Sequence, residues 1–320
     1  MNKRVLVVDD YEPWRRHVAA ELDKSDRWEI VGELEDGVEA VREAKALKPD
    51  IILIDIGLKT LNGVEAARQI LADDPTARIL ILTGQNSPDI ADAALAAGAR
   101  GYLIKHEAGG KLLLAMEAVV AGARFLSPGL PAEVLDRSRT PGTRTHRHEA
   151  VFRSDAAGLV DDYARFAEAA LAGRQPVVVV APRDRLDKLR QRLESHGVPV
   201  ARHVRDGSYV TLEMDLETLM PDGRCDEDTI RRSAAEIVAI ATRNAEPDRR
   251  VAMCGEVAPQ LWRNDRADAT IRIERIWDEI ARSLGIDLFC GYLVDAARVA
   301  EQEYGVFRDV CAAHGTVHVR

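Results

Sequence analysis

Four short, mostly apolar runs in the first 105 residues each end on a polar side chain, and this repeated grammar sets the kind of fold the chain can adopt. The runs are RVLVV before Asp9 and Asp10, IILI before Asp55, RILIL before Thr83 and GYLI before Lys105. Apolar runs with no polar face predict strands covered on both sides, as in a parallel sheet flanked by helices. A further strand is predicted at 28–31, WEIV. Between the strands, segments at 13–22, 37–47, 62–71, 89–97 and 111–121 carry helical periodicity. Pro13 sits in a first turn, where its missing N–H costs little, and Gly98 supplies a stop signal. Five strand-and-helix pairs in succession predict an α/β fold with a doubly wound parallel sheet.

In such a sheet, ligands bind in the crevice beyond the carboxyl ends of the strands. Asp9, Asp10, Asp55, Thr83 and Lys105 all fall there. Taken singly, each has a structural reading: capping acids, a turn aspartate, a turn hydroxyl, a solvated lysine. Taken together they describe a site. Three carboxylates brought close repel one another and need a counter-charge. A hard divalent cation held by oxygens supplies it, and Mg2+ suits a site that leaves room for water and a phosphate oxygen. Lys105 can pair with an anion and the Thr83 hydroxyl can donate to it. Asp55 is then placed to attack a metal-bound phosphoryl group and form an acyl phosphate.

At 320 residues the chain is long enough for two domains. A net charge of -9 argues against a broad nucleic-acid-binding surface, and no basic helix compensates for it. Cys225, Cys254, Cys290 and Cys311 form no CxxC pair, which fits the reducing cytoplasm. The start lacks a signal-peptide core, and no apolar run approaches the roughly 18 to 20 residues that span a bilayer. The expectation is a cytoplasmic protein with no membrane contact.

The motifs VLVVDD, LIDIGL, ILTG and GYLIK make residues 3–127 similar to the receiver domains of two-component response regulators. IDIGLKTLNG and AGARGYLIKHEAGGKLLLAMEAVVAGARFLSP resemble receivers of the NarL/LuxR class in particular. The resemblance implies a flavodoxin-like, five-stranded receiver domain over 1–127. It implies that Asp55 takes phosphate from a cognate histidine kinase or phosphotransfer protein. It further implies that Asp10, Asp55 and the Gly57 backbone carbonyl hold Mg2+ with help from Asp9, and that Thr83 and Lys105 engage the phosphoryl group. Tyr102 matches the family's switch aromatic. One position departs from the pattern: Lys59 stands where the family usually has proline. Phosphorylation would draw the Thr83 loop inward. The Ala- and Leu-rich face at 89–121 then has two readings, a homodimer surface as in many receivers or ordinary core packing.

Residues 128–145 read as a linker with a helical turn at 132–135. Beyond it, strands are predicted at 150–152, 176–181, 209–212, 250–254 and 286–294, and helices at 159–172, 186–196, 227–243, 267–284 and 296–313. This is a second α/β domain over 146–320. Nothing in it reads as two short helices with a basic recognition face, so direct DNA binding is not expected. No P-loop occurs after residue 146, which disfavours ATP hydrolysis and enzymatic activity. Glu256 follows a strand directly, as a site residue or as a helix-start acid. Cys311 and His314 could share a helix face and ligate a metal with His146 or His148, although a buried structural cysteine is the simpler reading.

Residues 146–320 also resemble the MEDS sensory domain family, a RecA/KaiC-like fold without a working P-loop. The stretches that carry this are HEAVFRSDAAGLVDDYARFAEAALAGRQPVVVVAP, Gly255-Glu256 with Leu261-Trp262, the helix containing Ile273, Glu274 and Trp277, and FCGY at 289–292. This chain departs from the family pattern at two places: the segment at 213–223 is shortened relative to it, and a glycine expected shortly after Trp262 is absent. The resemblance implies sensing of a small organic ligand, with His148, Glu256, Trp262 and Cys290 as candidate ligand-site residues. The combined expectation is a response regulator in which phosphorylation at Asp55 controls a non-DNA-binding sensory or interaction domain with a small-molecule or protein partner. Two alternatives stand beside it: the second domain senses a small molecule and tunes receiver phosphorylation, or it is a degenerate nucleotide-binding module.

Overall fold

In the computed structural model, which describes residues 2–130, 147–214, 226–243, 249–294, 299 and 304–320, each of the apolar runs is a strand. β1 (Lys3–Val8), β2 (Trp28–Leu34), β3 (Ile51–Ile54), β4 (Ile79–Thr83) and β5 (Gly101–Ile104) pair in the order β2-β1-β3-β4-β5, all parallel. Helices α1 (Glu12–Leu22), α2 (Gly37–Leu47), α3 (Gly63–Asp73), α4 (Pro88–Ala96) and α5 (Leu112–Val120) alternate with them. Every residue of β3, β4 and β5 is buried, which is why those runs contain no polar alternation. Local signals agree with the tertiary fold. Asn62 caps α3 by accepting the Glu65 N–H at 2.9 Å, and Asp36 caps α2 by accepting the Val38 N–H at 2.8 Å. A sixth strand, β6 (Arg124–Leu126), extends the sheet beside β5.

A second set of five strands pairs among itself. β7 (His148–Arg153), β8 (Val177–Ala181), β9 (Tyr209–Glu213), β10 (Val251–Gly255) and β11 (Ile286–Leu293) pair in the order β7-β11-β10-β8-β9, again all parallel. Helices α6 (Ala156–Ala172), α7 (Arg183–Ser195), α8 (Val200–Arg205), α9 (Glu227–Thr242), α10 (Val257–Arg263), α11 (Ala267–Leu284) and α12 (Tyr304–Ala313) surround it. The valine run of β8 has a core on each face. Val177 and Val179 pack with Leu159, Tyr163 and Leu189, whereas Val178 packs with Ile230, Ile273 and Ile276. Ile273, Ile276 and Ile280 recur at helical spacing, so α11 buries one stripe against this second core. α11 ends at Gly285, whose φ of +67° is left-handed backbone that glycine adopts without strain.

The last strand among the described residues, β12 (Thr316–Val319), pairs in parallel with β6 and belongs to the N-terminal compact unit. The remainder, up to Gly315 together with Arg320, makes up the second unit. The helical turn expected at 132–135, His146, and most of the shortened segment at 213–223 lie outside the described residues.

Candidate functional site

The register of the first sheet decides which side chains meet. Val8 pairs with Ile54, and the Asp55 N–H donates to the Val8 carbonyl at 2.8 Å, so Asp9 and Asp55 leave the sheet side by side. Thr83 pairs with Ile104, which brings Thr83 next to Lys105. The strand order reverses between β1 and β3, the place where an open α/β sheet has its crevice. Lys105 Nζ lies 2.6 Å from Asp9 Oδ2 and 2.8 Å from Asp55 Oδ1, and so bridges the two carboxylates. Asp10 is half-buried, with Lys59 Nζ 3.6 Å from its Oδ2. The Gly57 N–H donates to Asp55 Oδ2 at 2.5 Å. Gly63 opens α3 so close to this loop that a Cβ there would stand 2.0 Å from the Asp55 carbonyl oxygen. Only glycine lets the helix start where it does.

Burial pushes the Asp9 carboxyl above its ordinary value, against the pull of Lys105 and the Tyr11 N–H. Burial alone would lower Lys105, but its hydrogen bonds with Asp55 and Asp9 outweigh that and hold its pKa above the usual range. The ammonium therefore stays charged between two carboxylates. An all-oxygen donor set of three acids, with Lys105 and Lys59 beside it, fits a hard divalent cation such as Mg2+. Two residues here were not anticipated from sequence. The Trp14 ring lies 5.4 Å from Lys105 Nζ, a cation–π distance, and Arg15 Nη1 donates to the Asp9 carbonyl at 2.6 Å. Their position in the turn after the acidic pair was the available signal.

Thr83 and Tyr102 share a partner. The Gln85 N–H donates to Thr83 Oγ1 at 3.1 Å, and the Tyr102 hydroxyl donates to the Gln85 carbonyl at 2.9 Å. Tyr102 is buried, and burial together with the Asp55 charge pushes its pKa up to about 12, so the hydroxyl keeps its proton. On the 89–121 face, Ala91, Ala94, Leu95, Leu112, Leu114 and Ala115 are buried in the interior.

The four candidates of the second half separate. His148 and Cys290 come together, with His148 Nε2 3.5 Å from Cys290 Sγ. Glu256 is elsewhere: it is fully buried and ion-paired to Arg185 Nε at 2.8 Å and Arg263 at 3.4 Å, at the start of α10. Trp262 belongs to an aromatic cluster, its ring 6.1 Å from Phe152 and 5.5 Å from Tyr292. Cys311 is buried, and His314 reaches His148, with ring centroids 4.0 Å apart. Glu274 joins these rings, and sequence reading placed it only as part of a matching helix.

Residues 5–117 match the response regulator receiver domain family, and residues 147–314 match the MEDS (MEthanogen/methylotroph, DcmR Sensory) domain family. The transcriptional regulatory protein LiaR of Bacillus subtilis is 34% identical over 152 residues, covering 48% of this chain and 72% of LiaR. The response regulator GacA of Pseudomonas viridiflava is 32% identical over 138 residues, covering 43% of this chain and 64% of GacA. Among solved structures, a LuxR-family two-component response regulator from Aurantimonas sp. is 34% identical, covering 42% of this chain and 97% of that one, with a TM-score of 0.41. No helix among the described residues is long and apolar enough to cross a membrane.

Proposed function

The chain belongs to the response regulators by its receiver domain and to the MEDS family by its second half, and we propose on that premise that Asp55 is its phosphoacceptor. The observation that carries this reading is the Lys105 ammonium held between Asp9 and Asp55 at the strand ends. A carboxylate oxygen of Asp55 attacks the phosphorus of a phosphohistidine on a histidine kinase or phosphotransfer protein. The O–P bond forms as the P–N bond breaks, and the imidazole leaves. Asp9, Asp10, Asp55 and the Gly57 carbonyl would hold Mg2+, which when bound supplies positive charge to the phosphoryl oxygens. Lys105 exchanges part of its pairing from carboxylate to phosphoryl oxygen, and the Thr83 hydroxyl donates to another. Treatment with acetyl phosphate and Mg2+ should add one phosphoryl group by intact mass, labile to hydroxylamine and absent in Asp55→Asn. An unmodified wild type would remove the reading.

The output we propose is a sensory or interaction role for the second half, in the cytoplasm and without direct DNA binding or catalysis. LiaR is named as a transcriptional regulator, but here residues 147–314 match a sensory family and fold as a helix-flanked parallel sheet. A second reading, in which a small organic ligand of this half tunes receiver phosphorylation, draws support from β12, because the strand that follows α12 lies in the receiver's sheet. Nucleotide binding has no comparable support, since the second half has no P-loop. A homodimer through residues 89–121 would have to use the outward side chains of α4 and α5, such as the half-buried Ile90 and Leu113 and the exposed Ala93 and Ala96, given that Ala91, Ala94, Leu95, Leu112 and Leu114 are already interior. Light scattering with and without beryllofluoride tests that point.

A further inference from the structure

Four side chains from separate elements converge inside the second unit. His148 comes from β7, Glu274 from α11, Cys290 from β11 and His314 from the residues after α12. His148 stands opposite Leu288 in the β7–β11 register, so Cys290, two residues on, projects to the same face. The side chains of His148, Glu274 and His314 are at most 1% exposed. One atom from each residue faces the others, and all four lie within 4.8 Å of one another. His148 Nε2 is 3.1 Å and His314 Nε2 is 3.4 Å from Glu274 Oε2, while Cys290 Sγ is 3.7 Å from that oxygen. Four ligands at zinc bond lengths around one centre would stand about 3.3 to 3.8 Å apart.

The outward atom of three of the four is already engaged. His148 Nδ1 is 3.3 Å from Asp278 Oδ1, and His314 Nδ1 donates to the Val310 carbonyl at 2.6 Å. Glu274 Oε1 accepts the Tyr292 hydroxyl. With the ring protons on Nδ1, each Nε2 presents a lone pair, and both face a carboxylate oxygen that also has only lone pairs to offer. His314 Nε2 is buried without a hydrogen-bond partner. Lone pairs converging in a buried space call for a cation among them, and rings held from behind by a carboxylate and a carbonyl are the usual support of a metal-binding imidazole.

We propose that His148, Glu274, Cys290 and His314 hold a divalent transition-metal ion of the zinc class. Imidazole, thiolate and carboxylate donors in this number suit Zn2+ better than Mg2+ or Ca2+, which take oxygen ligands. The centre lies in the wall of a cavity of about 30 Å3, to which Glu274 and Cys290 contribute alongside Val180, Met253, Leu288 and Phe289. That cavity has room for one or two water-sized ligands, which would meet the metal's thiolate and carboxylate ligands. The proposal is independent of phosphotransfer at Asp55.

Metal analysis of the full-length chain after dialysis, followed by chelation and Co2+ titration, tests it. One ion per chain is expected, with a thiolate-to-cobalt charge-transfer band that Cys290→Ser abolishes and Cys311→Ser keeps. Asp278→Asn, which weakens the support behind His148 along with the surface pair to Arg282, should weaken affinity about 10- to 100-fold. Zinc-edge X-ray absorption of the unaltered chain should find one sulfur at about 2.3 Å, a readout that does not depend on any variant folding and that the sulfur-free acids of the receiver cannot imitate. No retained metal and no charge-transfer band in the wild type would overturn the proposal, as would a band that persists in folded Cys290→Ser.

Discussion

The hydroxyl of Tyr102 donates to the carbonyl of Gln85 at 2.9 Å, while the N–H of the same Gln85 donates to Thr83. One loop residue is thus held by the strand-end hydroxyl of β4 and by the aromatic of β5. Any movement of Thr83 toward a phosphoryl group has to loosen the first of these bonds. Tyr102→Phe should free the carbonyl side, at a cost of about 1 kcal/mol. Hydrogen exchange in residues 84–87 should quicken about fivefold, with little change in β4 itself. Unchanged protection there would mean that Tyr102 does not restrain the loop.

Lys105 neutralises two buried carboxylates, so Lys105→Met should destabilise the receiver by about 2 to 3 kcal/mol. Added Mg2+ should recover much of that loss, because a divalent cation among the same acids replaces the missing charge. Thermal melts with and without Mg2+ compare the two. A variant as stable as wild type in chelator would show that the bridge carries no weight.

Lys59 approaches Asp10 from solvent, with its side chain 80% exposed. Such a pair is worth at most about 1 kcal/mol, yet it opposes a cation at the same carboxylate. Lys59→Ala should tighten Mg2+ binding by up to about fivefold, measured by calorimetry, and the gain should shrink as salt is raised. Weaker binding in the variant would assign Lys59 a helping role instead.

Asp162 in the second unit is buried and paired with Arg153 at 2.6 Å, with Arg165 and Arg320 also at its carboxylate. Burial acts to raise its pKa, but Arg153 and the two other guanidinium groups outweigh it and lower the value. A depressed folded-state pKa stabilises above the unfolded value of about 3.9 and loses that contribution as pH falls through the lower folded value. Asp162→Asn should therefore cost about 3 kcal/mol at pH 7, and the gap to wild type should close only below about pH 4. Denaturant midpoints at pH 7, 5 and 3 read this directly. A gap that stays constant across that range would point to packing rather than charge.

The receiver half was legible because its chemistry sits where strands end, and strand ends are visible as the last residue of an apolar run. Asp9, Asp55, Thr83 and Lys105 needed only the rule that parallel strands release their carboxyl ends to one side. Trp14 and Arg15 were not legible, since an amphipathic first turn does not say which way a side chain leans. In the second half, His148, Glu274, Cys290 and His314 are spread over more than 160 residues, and their meeting depends on a strand order that places β7 beside β11. The sequence offered His314 with His148 as possible metal ligands, but with Cys311 as the sulfur donor, and spacing along the chain carries no trace of Glu274 and Cys290 joining them. Glu256 stood out for its position after a strand, and there the acid stands at the start of a helix and pairs with Arg185. β6 is three residues long and β12 four, too short for alternation to separate a strand from a loop.

The pairing of β12 with β6 also bears on how the molecule is made. Within this sequence β6 leaves the ribosome long before its partner, because the strand that pairs with it is encoded about 190 residues later. At ordinary translation rates β6 waits on the order of ten to forty seconds for it. During that interval an open strand edge is available to other nascent chains. The N-terminal unit is therefore completed only after the second unit has been synthesised, and a ribosome that stalls between β6 and β12 releases a sheet in which β6 still lacks that partner.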